Sequence, residues 1–219
     1  MSVVLGIDTA GPVIGAALVG EGEPKQWECR IARGADGVLL PAIADLLEGS
    51  ARLDAVAVSI GPGAFTGLRV GVATALGIAV SRNVPVVCVG SLEARAAMCE
   101  GAAVLAALDA RKSRMYAQWF DCSGADPIPL TNAVDLAMGE VLSSMPDSVG
   151  TYAAVGEGVL VEQAAVEASG GRLIADAGQS PAWAVALLGQ RNFGAALPAE
   201  EVALRYLRDA DAKKTVDRQ

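Results

Sequence analysis

At 219 residues, with 53% hydrophobic residues, 4% aromatics and 25 glycines, the chain can build one large or two small α/β units packed from Val, Leu, Ile and Ala. A net charge of −8, from 17 Lys and Arg against 25 Asp and Glu, argues against a chain that grips a phosphate backbone alone. The absence of histidine excludes Ser-His and Cys-His nucleophile pairs, and Cys29, Cys88, Cys99 and Cys122 lack CxxC spacing, so no metal site is expected and the cysteines read as reduced core residues.

In chain order, residues 3–20 (VVLGIDTAGPVIGAALVG) read as a β-hairpin turning at Ala10-Gly11-Pro12, and QWECRI as a third strand. Asp36 is placed to cap a helix through VLLPAIADLLEG that Gly49 ends, with Pro41 in the early turns where its missing N–H is tolerated. DAVAVSI is a buried strand, followed by a glycine-rich loop and an apolar helix. VPVVCVG is another strand, and Ser91 is expected to cap the helix LEARAAMCE.

The pattern then partly repeats. Residues 103–121 form a second hairpin, with Asp109 where the first has Asp8. Residues 125–129 read as a loop, NAVDLAMGEVLSS as a helix, TYAAVGEG as a strand with a glycine loop, and VLVEQAAVEAS as a helix. Residues 205–219 read as a charged, loosely held tail. Two β-β-β-α-β-α halves, each opening on an aspartate-bearing hairpin, predict an α/β protein of two ribonuclease-H-like lobes of the actin, Hsp70 and sugar-kinase type. The first lobe would span 1–102, and a smaller, degenerate second lobe 103–219. No basic n-region precedes the first strand, and the apolar helix over 70–80 is too short for a membrane span and carries Thr74, so a cytoplasmic protein without a membrane segment is expected.

The loop SIGPGAFTGLRVG lacks the Lys-Ser/Thr pair of a Walker loop and the downstream acid of a dinucleotide fingerprint. A tight turn at Gly61-Pro62-Gly63 and a cap from Thr66 account for more of its residues. Gly67, Gly71, Ala75 and Ala79 recur every four residues and flatten one helix face. Glycine inside a helix costs about 1 kcal/mol against alanine, so close approach of another backbone is expected there. The remaining positions are apolar too, as are those of the preceding helix. Both helices therefore predict a protein interface, built from Leu39, Leu40, Ile43, Leu47, Gly67, Val70, Gly71, Thr74, Ala75 and Ile78. Cover from the second half of the chain is the other reading.

The paired hairpins place Asp8 and Thr9 on one side of a cleft and Asp109 and Arg111 on the other, all close to where a Mg-nucleotide would lie. Against this, Pro12 removes an N–H from the first turn, and Ala110-Arg111-Lys112-Ser113 lacks glycine. Gly156 and Gly158 could border an adenine. Autonomous ATP chemistry using Asp8 and Asp109 is the alternative to an interaction subunit. Contact with RNA through Arg111, Lys112, Arg114 and Lys213-Lys214 is a third reading.

GIDTAG, GPGAFTGLRVG, VPVVCVGSLEA, LDARKSRMYA and RYLRDADA together resemble the TsaB family, also called YeaZ. The resemblance runs through 1–120, is weak over 125–195 and returns at 205–212. It implies a non-catalytic partner, with no catalytic residue or metal of its own, in making threonylcarbamoyladenosine on tRNA. The implied partners are TsaD, the transferase, and the ATPase TsaE, with homodimers when alone and tRNA met only through the complex. The family pairs through the two helices singled out above. An adenine nucleotide, ATP or ADP, at the seam with TsaD is left open. Many relatives carry a His-Ser pair before the LLP of the first helix; this chain has Ala35-Asp36-Gly37-Val38 there.

Overall fold

A computed structural model describes residues 2–20, 22–31, 34–50, 52–147 and 149–208. Runs of uncharged Val, Ile, Leu and Ala pair into a first sheet. β1 (Val4–Asp8) lies antiparallel to β2 (Val13–Val19) and parallel to β4 (Ala55–Ser59). β3 (Lys25–Arg30) extends it beyond β2, and β5 (Val86–Val89) beyond β4, giving the order β3-β2-β1-β4-β5.

The two-residue period of the strands splits this sheet into two dry faces. Leu5, Ile7, Val56 and Val58 pack under α1 (Ala35–Leu47) and α2 (Phe65–Arg82). Val4, Ala55 and Ala57 face the other way, against α7 (Ala182–Arg191). Gly6 lets α7 lie close, since a Cβ there would run into the Ala182 carbonyl and Ala186.

The second sheet repeats the topology. β6 (Gly101–Asp109) lies antiparallel to β7 (Met115–Cys122) and parallel to β10 (Tyr152–Val155), with β8 (Ile128–Pro129) and β11 (Gly171–Leu173) at the edges. Its order, β8-β7-β6-β10-β11, matches that of the first sheet strand for strand, which makes the molecule two ribonuclease-H-like units. β9 (Val134–Leu136) adds a further pairing to β7. α4 (Met138–Ser143), α5 (Glu157–Val161) and α6 (Gln163–Ala168) accompany it. α3 (Ser91–Ala96) fills the seam, where Leu92 and Ala96 join Ala10 and Leu68 of the first lobe to Val104, Leu108 and Phe120 of the second.

Several expectations change. The chain does not divide into consecutive halves at 102/103, because α7 returns from the second half to cover the first sheet and Leu197 bridges Val86. Gly34, not Asp36, stands at the N-cap of α1. Ser91 is the first helical residue of α3 rather than its cap; its hydroxyl accepts the Gly61 N–H at 3.1 Å, and the Glu93 carboxylate accepts the Gly90 N–H. Ala64 precedes α2, and Thr66 lies exposed inside the helix without capping it. NAVDLAMGEVLSS splits into β9 and α4, and VLVEQAAVEAS into α5 and α6. Residues 125–129 end in the short strand β8. The C-terminal run is docked as far as Arg208: the Arg205 N–H bonds the Ile60 carbonyl at 2.8 Å, and Tyr206 stacks on Phe65. Residues 209–219, with Lys213 and Lys214, lie outside the described residues.

Candidate functional site

The turns of the two hairpins face one cleft of about 850 Å³. Thr9 to Pro12 and the loop Pro62–Gly67 line one wall; Asp109 to Arg111, Tyr116 and Glu157 line the other. Tyr206, Leu207 and Arg208 from the C-terminal run also line it. The structure thus places Thr9, Asp109 and Arg111 along a common cleft.

Asp8 is placed differently. It is 0% exposed and pairs with the guanidinium of Arg95, itself 1% exposed, with Nη1 to Oδ1 at 3.5 Å and Nη2 to Oδ2 at 3.3 Å. Arg95 projects from α3, where its Nη1 also donates to the Ser91 carbonyl at 2.9 Å. From the second lobe Glu157 approaches, its Oε2 3.8 Å from Arg95 Nε, which has no hydrogen-bond partner. Burial pushes the Glu157 carboxyl above its ordinary range, with Arg95 opposing the shift.

A fixed cation therefore lies between carboxylates of both lobes. Small residues make room for it: a Cβ at Gly11 would stand 3.0 Å from Arg95 Nη2, and one at Gly156 would stand 3.3 Å from Arg95 Cδ. Gly156 and Gly158 do not border a ligand pocket with open space; a Cβ on either would press on the backbone of Ala107. Sequence reasoning missed Arg95 and Glu157. In LEARAAMCE the arginine reads like any solvated helix residue, and only the fold shows what it meets.

The glycine-rich loop is likewise occupied. The Ala64 N–H bonds the Ala10 carbonyl at 2.8 Å, and the Gly61 N–H bonds Ser91. The glycine face of α2 also turns inward. Thr9 Oγ1 donates to the Gly67 carbonyl at 2.8 Å; a Cβ at Gly67 would run into the Thr9 carbonyl, and one at Gly71 into Thr9 Oγ1. The close approach exists, but its partner is the first hairpin of the same chain, not another protein. Leu39, Ile43, Ala75 and Ile78 are buried for the same reason, facing their own sheet. Of the expected interface positions, Leu40 is 56% exposed, while Leu47, Val70 and Thr74 are half-buried. The outward stripe of α2 instead carries Ala73, Gly77 and Val80, with open space at Gly77 and Val80 69% exposed.

On the second lobe the turn between β6 and β7 has unusual backbone. Arg111, Lys112 and Ser113 lie consecutively in the left-handed region, at φ of 64°, 55° and 56°. Each non-glycine residue there costs about 1–2 kcal/mol. Below the turn, Asp135 accepts Arg114 Nε and Arg208 Nη2, both at 2.8 Å, two contacts not anticipated from sequence. Among the described residues no group of His, Cys, Asp and Glu could hold a metal ion, and no helix is long and apolar enough to cross a membrane.

The family model for TsaD, tRNA N6-adenosine threonylcarbamoyltransferase, matches residues 36–175. An uncharacterized protein of Mycobacterium bovis is 34% identical over 164 residues, which is 70% of this chain and 77% of the relative. The tRNA threonylcarbamoyladenosine biosynthesis protein TsaB of Haemophilus influenzae is 33% identical over 121 residues, spanning 52% of this chain and 51% of the relative. The protein of that name from Escherichia coli is 33% identical over 124 residues, 52% of each. Among solved structures, YeaZ from Pseudomonas aeruginosa superposes with a TM-score of 0.81 at 25% identity, over 94% of this chain and 100% of that one. With two lobes of one topology, hairpins facing a cleft, and these likenesses, the chain belongs to the TsaB (YeaZ) family of tRNA threonylcarbamoyladenosine biosynthesis.

Proposed function

We propose that the chain is a non-catalytic subunit that binds and activates a TsaD-type threonylcarbamoyltransferase in the cytoplasm. The observation that carries this reading is the Asp8–Arg95 pair with Glu157 beside it. An ATPase or kinase working through Asp8 needs that carboxylate free to face a metal-bound phosphate, and here it is buried against an arginine. The family model and the relatives' names support the reaction in which the subunit would take part.

Docking would use the outward surfaces of α1 and α2, where Leu40, Ala73, Gly77 and Val80 offer an apolar, nearly flat stripe between half-buried Val70 and Thr74. In this reading the free chain pairs with a second copy through the same stripe, and a TsaE-type ATPase joins the assembly. The subunit has no nucleotide of its own; any ATP or ADP lies at the seam with the transferase, and tRNA is met only in the complex. Gel filtration with TsaD from the same source should give a stable complex, and the isolated chain should transfer no threonylcarbamoyl group. Gly77→Trp should weaken pairing at least tenfold, about 1.4 kcal/mol, while the circular-dichroism spectrum shows the fold retained. Transfer by the chain alone, or undiminished pairing of that variant, would overturn the proposal.

A further inference from the structure

We infer that the turn between β6 and β7 is a contact for RNA backbone phosphates, made by Arg111 and Lys112 once the subunit is assembled; this rests on the function proposed above. Three successive non-glycine residues at positive φ are a local conflict between side chain and backbone. Glycine would remove the strain, and the chain uses it at comparable φ elsewhere, as at Gly34 (φ 78°) and Gly49 (φ 76°). A basic, basic, hydroxylic run in such a place is therefore held against a stability gradient, as side chains needed for contact are.

The turn is also rigid. The Arg111 N–H donates to Asp109 Oδ1 at 2.8 Å, the Ala110 N–H to the Arg114 carbonyl at 2.9 Å, and Arg208 Nη1 to the Ala110 carbonyl at 3.3 Å. Asp135 clamps Arg114 and Arg208 beneath it. This corner thus gathers four cations around two carboxylates in a chain whose net charge is −8. The Arg111 side chain is 82% exposed although it lies 3.6 Å from Asp109, a surface pairing that a phosphate could displace at little cost. Arg111 and Lys112 offer donors only, and Ser113 adds a hydroxyl, which suits phosphate oxygens. No aromatic lies among residues 110–114, so the turn itself offers phosphate donors and no stacking face.

The test compares the wild-type complex with the TsaD-type transferase, Arg111→Gly/Lys112→Gly, and Arg111→Gln/Lys112→Gln, using tRNA at a series of salt concentrations. Both variants should pair normally and lower the slope of log K against log salt by about 1 to 2, from 0.7–0.9 per lost phosphate contact. Only the glycine variant should melt higher as the isolated chain, by roughly 2–4 °C. An unchanged salt slope in both variants overturns the inference, as does a glycine variant that melts lower. Weakened pairing with an unchanged slope would assign the turn to an acidic protein partner and equally overturn it. If the wild-type chain fails to pair, the parent proposal falls at the gel-filtration step, before tRNA is added, and this contact falls with it.

Discussion

Removing the guanidinium of Arg95 would leave Asp8 as a carboxylate with neither solvent nor partner. Arg95→Met is therefore expected to destabilise the fold by about 3–5 kcal/mol, the range for breaking a buried ion pair from one side. Asp8→Leu/Arg95→Met, which removes both charges and keeps the volume apolar, should recover most of that loss in urea denaturation. Little recovery would mean that the pair also carries polar contacts that an apolar replacement cannot imitate. The same residues show where a sequence stops informing. Asp8 and Asp109 could be placed at corresponding hairpin ends because an apolar run, an aspartate and a turn recur in order. Nothing local distinguishes Arg95 from a surface arginine, since its role depends on Asp8, 87 positions away, and on Glu157.

At the scale of elements, α2 separates two kinds of glycine. Gly71 is packed on Thr9, so Gly71→Ala should cost about 1–3 kcal/mol through overpacking. Gly77 has open space, and Gly77→Ala should stabilise by about 0.5–1 kcal/mol. Chemical denaturation of both variants checks the contrast; equal effects would mean that Thr9 yields readily. The four-residue spacing of small residues was legible in the sequence and correctly implied close approach. The partner was not legible, because a helix apolar on nearly every side has no polar face to mark which way is out. α7 has six of its ten residues buried, and nothing in PAWAVALLGQR says that the sheet it covers is the first one, about a hundred residues back. β9 was absorbed into a helix because three residues, VDL, are too few to display a period of two.

At the scale of the whole molecule, the two lobes share one interior. Ala10 and Leu68 from the first, Leu92 from α3, and Val104, Leu108 and Phe120 from the second form a single cluster, with half-buried Leu204 against it. The repeat of strand order was the most legible property of the chain, since hairpins and buried strands announce themselves by turns and apolar runs. The interleaving was not, because which sheet a late helix covers depends on matching surfaces. Gly189 against Ala57 and Gly6 against Ala186 are such matches, and both are pairs of small residues without a distinctive pattern.

The return of α7 also imposes an order in time. The strands of the first sheet are complete at Val89, yet the helix that covers Val4, Ala55 and Ala57 ends only at Arg191. A ribosome making the intervening hundred or so residues at about 5–20 residues per second takes roughly 5–20 s. For that interval an apolar sheet face stands bare, and a chaperone that holds nascent chains would find its target there. Ribosome-bound chains stalled at residue 180 should be captured by such a holdase or cut by protease within the first lobe, and full-length chains tethered through an added C-terminal linker long enough to carry α7 clear of the exit tunnel should not. Equal protection of both lengths would show that the first sheet closes without its last helix.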